Sequence, residues 1–342
     1  LAVNATYGTM LDVSFHSGTF PILDIMSDDA RKGSNPTDQS AEIGPYDNFT
    51  FTKTGNELKS WWATLYMGIK RANVVIEKVP AIDMDATLRD RYIAEAKFLR
   101  ALFYFDLVRA WGDVPLILTT NPSNNLVRSP KADVYKQIKE DLLAAITGLD
   151  ERNAQPNAEL GRATKGSAKA LLAKVYLFDG DFVNAEKYAL EVINSKQYGL
   201  EPLFINASSV DGEHGIESVF EIGAIGLEAA GGDQYANVQG VRGTPNRGWG
   251  FNRPTPNLRA SFEDGDPRMK GTIIDLGDVI DGIIILGDGT TPDVTKDNEG
   301  NILETECYNR KVWTPGNNVA TQFGHNRRII RYADVLLIDE AL

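Results

Sequence analysis

Between Leu88 and Trp111 the chain places apolar side chains around most of a helix. Leu88, Tyr92, Ala96, Leu99, Phe103 and Leu107 recur at steps of three and four, which is one helical face. Phe98, Leu102 and Phe105 widen the apolar surface beyond that face, so the helix has to be covered on two sides. Gly112 follows the last turn and Pro115 lies three residues later, both stop signals. This segment demands helical neighbours, and the flanks supply them.

Upstream, Trp62, Tyr66, Ile69, Asn73 and Ile76 predict a helix that buries this stripe and ends at Pro80. Downstream, Val134, Ile138, Leu142 and Ile146 at spacing four predict a helix over about Ala132 to Leu149. From Arg162 to Asn194 the order Leu172, Ala173, Tyr176, Gly180, Phe182 and Ala185 follows the helix, tight turn and helix of a tetratricopeptide hairpin. Small Ala173 and Ala185 let two antiparallel helices approach, Tyr176 fills the space between them, and Gly180-Asp181 makes the turn. Ala189 stands where a bulky aromatic is usual, and no proline closes the unit.

The pattern changes near residue 200. Nineteen of the 31 glycines lie in residues 201–342, and Ser218-Val219-Phe220-Glu221-Ile222 alternates like a half-buried strand. Gly271 to Asp275 and Gly282 to Leu286 are expected as buried strands, and Ile329 to Leu342 as the start of a final helix. The first 56 residues are turn-rich, as in Asp28-Asp29-Ala30-Arg31-Lys32-Gly33-Ser34-Asn35-Pro36. The fold class is therefore mainly α. A scaffold of tetratricopeptide-like helical hairpins over residues 57–200 is combined with loop-rich segments, 1–56 and 201–328, that contain short β-strands.

Several functions are argued against. With a net charge of −12 and no Lys/Arg tract, the chain is a poor electrostatic match for nucleic acid or an anionic lipid surface. Its apolar runs are too short to span a bilayer as a helix. Cys307 has no internal disulfide partner, and the three histidines have no second ligand at a metal-motif spacing. The acidic stretch Asp293 to Asn301 has its glycine at the wrong offset for an EF-hand and reads as a solvated turn. Asp28 and Asp29 are adjacent, whereas glycoside hydrolysis needs two carboxyls flanking one bond. Arg327, Arg328 and Arg331 are expected to pair with Asp334 or a loop acid. No catalytic residue, metal site or cofactor is assigned.

Taken in order, these residues resemble the SusD/RagB family. The main signature runs from Ala94-Glu95-Ala96-Lys97-Phe98-Leu99-Arg100-Ala101 through Tyr104-Phe105 to Trp111-Gly112-Asp113-Val114-Pro115. Further anchors are Trp62, Tyr66, Ile69 and Asn73, then Gly161 to Lys165, Leu171 to Leu177, and Arg247-Gly248-Trp249-Gly250. Asp266-Pro267-Arg268 and the terminal Arg331 to Leu337 complete the set, which covers about residues 24 to 337. The resemblance implies a cell-surface lipoprotein of Bacteroidetes outer membranes. Such proteins bind an oligosaccharide or other nutrient without catalysis and deliver it to a SusC-like TonB-dependent β-barrel transporter. It also implies a signal peptide and a lipid-bearing cysteine upstream of Leu1, and further residues beyond Leu342, where the terminal signature is one residue short.

Sugar capture needs flat aromatic faces for the C–H side of a pyranose, with polar groups around them. Such rings belong on loops held by a rigid scaffold. That criterion selects Trp249 and Phe251, Trp313, Tyr235, and the group Tyr46, Asn48 and Phe49 as ligand-binding candidates. Tyr92, Phe98, Phe103, Tyr104 and Tyr176 are assigned to the core instead. The alternative from another class is a tetratricopeptide-type protein–protein adaptor using the hairpin near Tyr176. The long glycine-rich second segment argues against it.

Overall fold

A computed structural model describes residues 1–226, 234–288, 306–315 and 324–340. The chain begins with helices α1 (Ala2–Tyr7) and α2 (Val13–Phe20), and α3 (Gly44–Asp47) precedes the long helices. These are α4 (Asn56–Lys78), α5 (Ala86–Trp111), α6 (Lys131–Gly148), α7 (Lys165–Asp179) and α8 (Phe182–Asn194). Short helices α9 (Tyr235–Gln239), α10 (Pro256–Ala260) and α11 (Pro267–Thr272) follow, and then α12 (Tyr332–Glu340). The described strands are β1 (Ala30–Gly33), β2 (Ser218–Ile222), β3 (Phe251–Pro254), β4 (Ile273–Asp275), β5 (Val279–Ile280), β6 (Ile283–Ile284), β7 (Cys307–Asn309) and β8 (Arg327–Arg331). They form two-stranded antiparallel ladders, β1–β3, β2–β8, β4–β7 and β5–β6.

Helix α5 is the centre of the fold. The Asp85 side chain caps it by accepting from the Leu88 N–H at 2.8 Å, and every residue from Ala94 to Val108 except Lys97 is buried. Helices α4 and α6 pack along its two sides, which is the double cover its composition requires. The face that α4 turns inward is wider than, and rotated from, the expected one. Ile69 and Asn73 of the expected stripe are buried, as are Trp61, Leu65, Gly68, Ala72 and Val75, whereas Trp62, Tyr66 and Ile76 stay half-buried. Gly68 explains the shift: a Cβ there would run into the Phe103 ring of α5, so the small-residue side makes the close approach.

A buried polar cluster joins the three helices. The Arg100 guanidinium donates to both Asp141 carboxylate oxygens, at 2.8 and 2.7 Å, and to the Asn73 side-chain carbonyl at 2.8 Å. Asn73 in turn donates to the backbone carbonyls of Ile117 and Thr119 at 3.0 and 3.3 Å. α4, α5, α6 and the segment after α5 are thereby fixed in one register.

The hairpin forms as expected. Gly180 ends α7 at φ 79°, Asp181 caps α8 from the Asn184 N–H, Ala173 and Ala185 are fully buried, and Tyr176 stacks on Tyr188 at 5.7 Å.

Four expectations are corrected. The first segment is not uniformly loop-rich, since residues 2–25 are largely helical and dock against α4. The Gly282–Leu286 run supplies only the two residues of β6; Ile284 and Leu286 are exposed, whereas Ile285 is buried with Ile274, Ile280 and Trp313. The Gly271–Asp275 run forms β4 over Ile273–Asp275 only, its first two residues ending α11. The final helix starts at Tyr332, because Arg327–Arg331 pairs with β2 as strand β8. There Arg328 lies 3.2 Å from Glu221, and Arg331 pairs with Glu217, so loop and strand acids take these arginines. The Asp334 carboxylate accepts the Arg331 backbone N–H instead. Cys307 is buried, with its thiol 3.6 Å from the Pro254 carbonyl. Asp293–Asn301, Ala341 and Leu342 lie outside the described residues.

Removing one partner of a buried ion pair strands the other. Asp141→Ala is therefore expected to cost about 3–5 kcal/mol in urea denaturation, and an Arg100→Met/Asp141→Leu double variant clearly less. An equal loss in both would show that packing, not the stranded charge, sets the cost. His325 gives a pH prediction. Burial holds its imidazole at about 3, against an ordinary value near 6.5. Between those values the unfolded chain binds a proton that the native state refuses, so this contribution is complete above pH 6.5 and is lost as pH falls towards 3. Thermal melts at stepped pH should show that slope, and His325→Gln should flatten it.

Candidate functional site

The β1–β3 ladder joins segments more than 200 residues apart, with Gly33 opposite Phe251 and Ala30 opposite Pro254. It lays the loop after β1 against the loop before β3. The seam is continued by the Ser34 N–H, which donates to the Gly250 carbonyl at 2.6 Å. Within the second loop, Arg247 donates to Val241, Trp249 to Asn237 and Gly250 to Gly240 through backbone bonds of 2.8 to 2.9 Å. Gly250 sits at φ 75°, where a Cβ would press on the Tyr308 ring and on Arg242, so the turn beside Trp249 has to be glycine.

The first loop is held equally firmly. The Lys32 ammonium donates to the carbonyls of Gly33, Asn35 and Asp38 at 2.8, 2.9 and 3.0 Å, which uses all three of its donors. Burial pushes its pKa down. Arg242 ties the loops together by donating to the Ser34 hydroxyl at 2.9 Å and pairing with Asp38, while its Nε lies 2.9 Å from Asp288. Trp249 stands on this braced seam through its backbone bond to Asn237, with 39% of its surface exposed. An exposed indole offers a flat apolar face.

The other sequence candidates scatter. Phe251 is buried with Phe20, Ile25, Ile43, Tyr46 and Val238, and the Lys32 ammonium lies 5.6 Å from its ring centre. Tyr46 is buried in the same cluster and stacks on Phe51 at 5.1 Å. Trp313 is only 6% exposed: its indole N–H donates to Asp281 at 2.7 Å, and the Arg247 and Arg310 guanidinium groups cover its ring at 5.7 and 5.6 Å. The rings of Phe251, Tyr46 and Trp313 are thus buried rather than standing as open platforms, Tyr46 forming part of the wall of a neighbouring cleft. Asp281 partners Trp313, and the apolar cluster around Phe20 and Ile25 partners Phe251 and Tyr46. Tyr235 is half-buried under Arg327, at 5.0 Å, in a separate cleft with Phe15 and Phe105. Its preceding residues Gly231-Gly232-Asp233 lie outside the described residues. Phe49 is exposed, and Asn48 is an exposed turn residue that accepts from the Thr50 N–H at 3.2 Å.

Reading the sequence missed Lys32, Ser34, Asp38 and Arg242. The signal was the tract Lys32-Gly33-Ser34 itself, which reads as turn-forming while its polar groups go unused. Asp28 and Asp29 lie in an exposed turn whose carbonyls accept from Thr255, an arrangement that builds a turn.

Exposure separates the two tryptophans experimentally. Trp249→Ala should change stability by no more than about 0.5–1 kcal/mol, whereas Trp313→Ala should cost about 3–5 kcal/mol. Chemical denaturation of both variants checks this, and equal losses would mean that Trp249 is packed as tightly as Trp313.

Comparison with known proteins converges. Residues 24–177 match a family, SusD-like_3, described as "Starch-binding associating with outer membrane". SusD-like protein P2 of Formosa agariphila is 30% identical over 98% of this chain, which spans 68% of that protein. A laminarin binding SusD-like protein of known structure superposes with a TM-score of 0.82 at 28% identity, over 99% of this chain and 78% of the other. Surface glycan-binding protein A from Bacteroides thetaiotaomicron, solved in complex with laminarihexaose, gives 0.80 at 25% identity over 99% and 76%.

Proposed function

The chain belongs to the SusD-like family, and we propose that it binds an oligosaccharide at the Trp249 face, without cleaving it, for delivery to a SusC-like TonB-dependent outer-membrane transporter. The observation that carries this reading is the half-open indole of Trp249 on a seam braced by Lys32 and Arg242. A ring fixed before the ligand arrives loses little entropy on binding. We assign Ser34, Asp38 and Arg242 as the polar groups for sugar hydroxyls, and keep Phe49 and Asn48 as exposed candidates in the loop before α4. Phe251 and Tyr46 back the seam from inside. Residues 57–200 act as the scaffold, and the ligand face is drawn from segments 1–56 and 201–328. The solved relatives named above for laminarin and laminarihexaose support a β-glucan as the first ligand to try. The family description supports residence at the outer membrane, where we place the protein as a cell-surface lipoprotein.

A second reading has its own observation. At the tip of the α7–α8 hairpin, Phe178, Phe182 and Val183 are 52%, 55% and 78% exposed, a surface that suits a protein–protein adaptor. The two readings part experimentally. Calorimetric titration with a panel of neutral oligosaccharides should find a ligand, and Trp249→Ala should weaken it about thirtyfold, the ~2 kcal/mol of an aromatic hot spot. Absence of binding across the panel would favour the adaptor. Steady release of reducing ends by the pure protein would overturn the non-catalytic assignment.

A further inference from the structure

A cleft of about 620 Å³ opens between the loop before α4 and the end of α5. Its walls include the rings of Phe51, Trp62 and Trp111, with Trp62 and Trp111 edge to face at 5.2 Å. Four cations line it, Lys53, Lys59, Arg109 and Arg128, and no carboxylate is among its described lining residues. In a chain of net charge −12 that concentration runs against composition. Only Arg109 has a carboxylate partner among the described residues, in Asp106. Arg128 donates to the Asp113 backbone carbonyl at 3.1 Å, and Lys53 and Lys59 are exposed without an ion-pair partner among those residues.

Like charges gathered in a concavity with apolar walls focus a positive potential there. The volume lies within the range of small-molecule sites and leaves room for a few sugar rings. The aromatic walls suit the C–H faces of those rings, and the cations suit acidic substituents. From this geometry we infer that the cleft is a second carbohydrate site, selective for sugars carrying a carboxylate or sulfate group. The inference rests on the glycan-binding reading for the class of molecule but uses a different place. Ile22, Met26 and Leu58 line the cleft and pack on the cluster that holds Phe251, so one small core backs both this site and the Trp249 seam.

The test is titration of the full chain with tetragalacturonate, a sulfated galactan tetrasaccharide and laminarihexaose, at low and high salt. At least one acidic probe should bind, more weakly at high salt because these cations are exposed to screening. Which acidic probe binds better decides between carboxylate and sulfate. The triple variant Lys53→Gln/Lys59→Gln/Arg128→Gln should weaken the acidic probe about tenfold or more and leave the laminarihexaose signal unchanged. Arg109 is left intact because it packs over Phe105 and Phe178, and a melting temperature equal to the parent's shows that the fold survives the exposed changes. Failure of both acidic probes to bind, or acidic binding indifferent to salt or to the triple variant, overturns the proposal. Trp249→Ala reads the other face: a laminarihexaose signal untouched by it counts against the Trp249 reading and leaves the acidic result standing.

Discussion

Arg100 is a charge that cannot be neutralised, placed inside a helix that has no exposed side at that level. Its two bonds to Asp141 and one to Asn73 are what make that position tolerable, and they also decide where everything else goes. Asn73 hands the connection on to the carbonyls of Ile117 and Thr119. Tyr104 reinforces it, since its hydroxyl accepts from the Ile117 N–H and donates to the Ile117 carbonyl, while Tyr66 holds Pro115. The helices therefore do not merely pack by apolar area. Directional bonds set their register and carry it into the connecting chain.

On that base the β1–β3 seam is built from parts that have little apolar surface of their own. β1 and β3 are four residues each, too short to be stable as an isolated pair. What steadies them is cover from the Phe20, Ile25, Ile43, Tyr46, Val238 and Phe251 cluster and the clamping of one loop by Lys32. Rigidity at Trp249 thus comes from charge and backbone bonding more than from burial.

The helices were legible in the sequence because their information is local. Steps of three and four, caps such as Asp85 and the left-handed Gly180 all lie within a few residues of what they specify. The part that failed is non-local. Ile329 and Ile330 suit a helix or a strand, and pairing with β2, more than 100 residues earlier, decides for β8. The same holds for the rings. Trp249 and Trp313 both follow loop-like sequence, yet Asp281 and Arg247 from elsewhere, together with the nearby Arg310, enclose one and leave the other. The cationic cleft was invisible for a related reason. Lys53, Lys59, Arg109 and Arg128 are scattered along the chain, and each alone reads as an ordinary solvated charge.

The long reach of the β1–β3 seam has a consequence for biogenesis. Helices α4 to α8 are complete by Asn194, whereas the strand that closes onto Ala30–Gly33 is not made until residue 254. As the ribosome advances, the bundle can acquire its shape while the recognition surface is still half written, because distant pairing is intrinsically the slower event. A nascent or prematurely terminated chain would then look well folded by circular dichroism and yet lack the seam on which Trp249 stands. The β1–β3 seam is thus a later acquisition than helices α4 to α8.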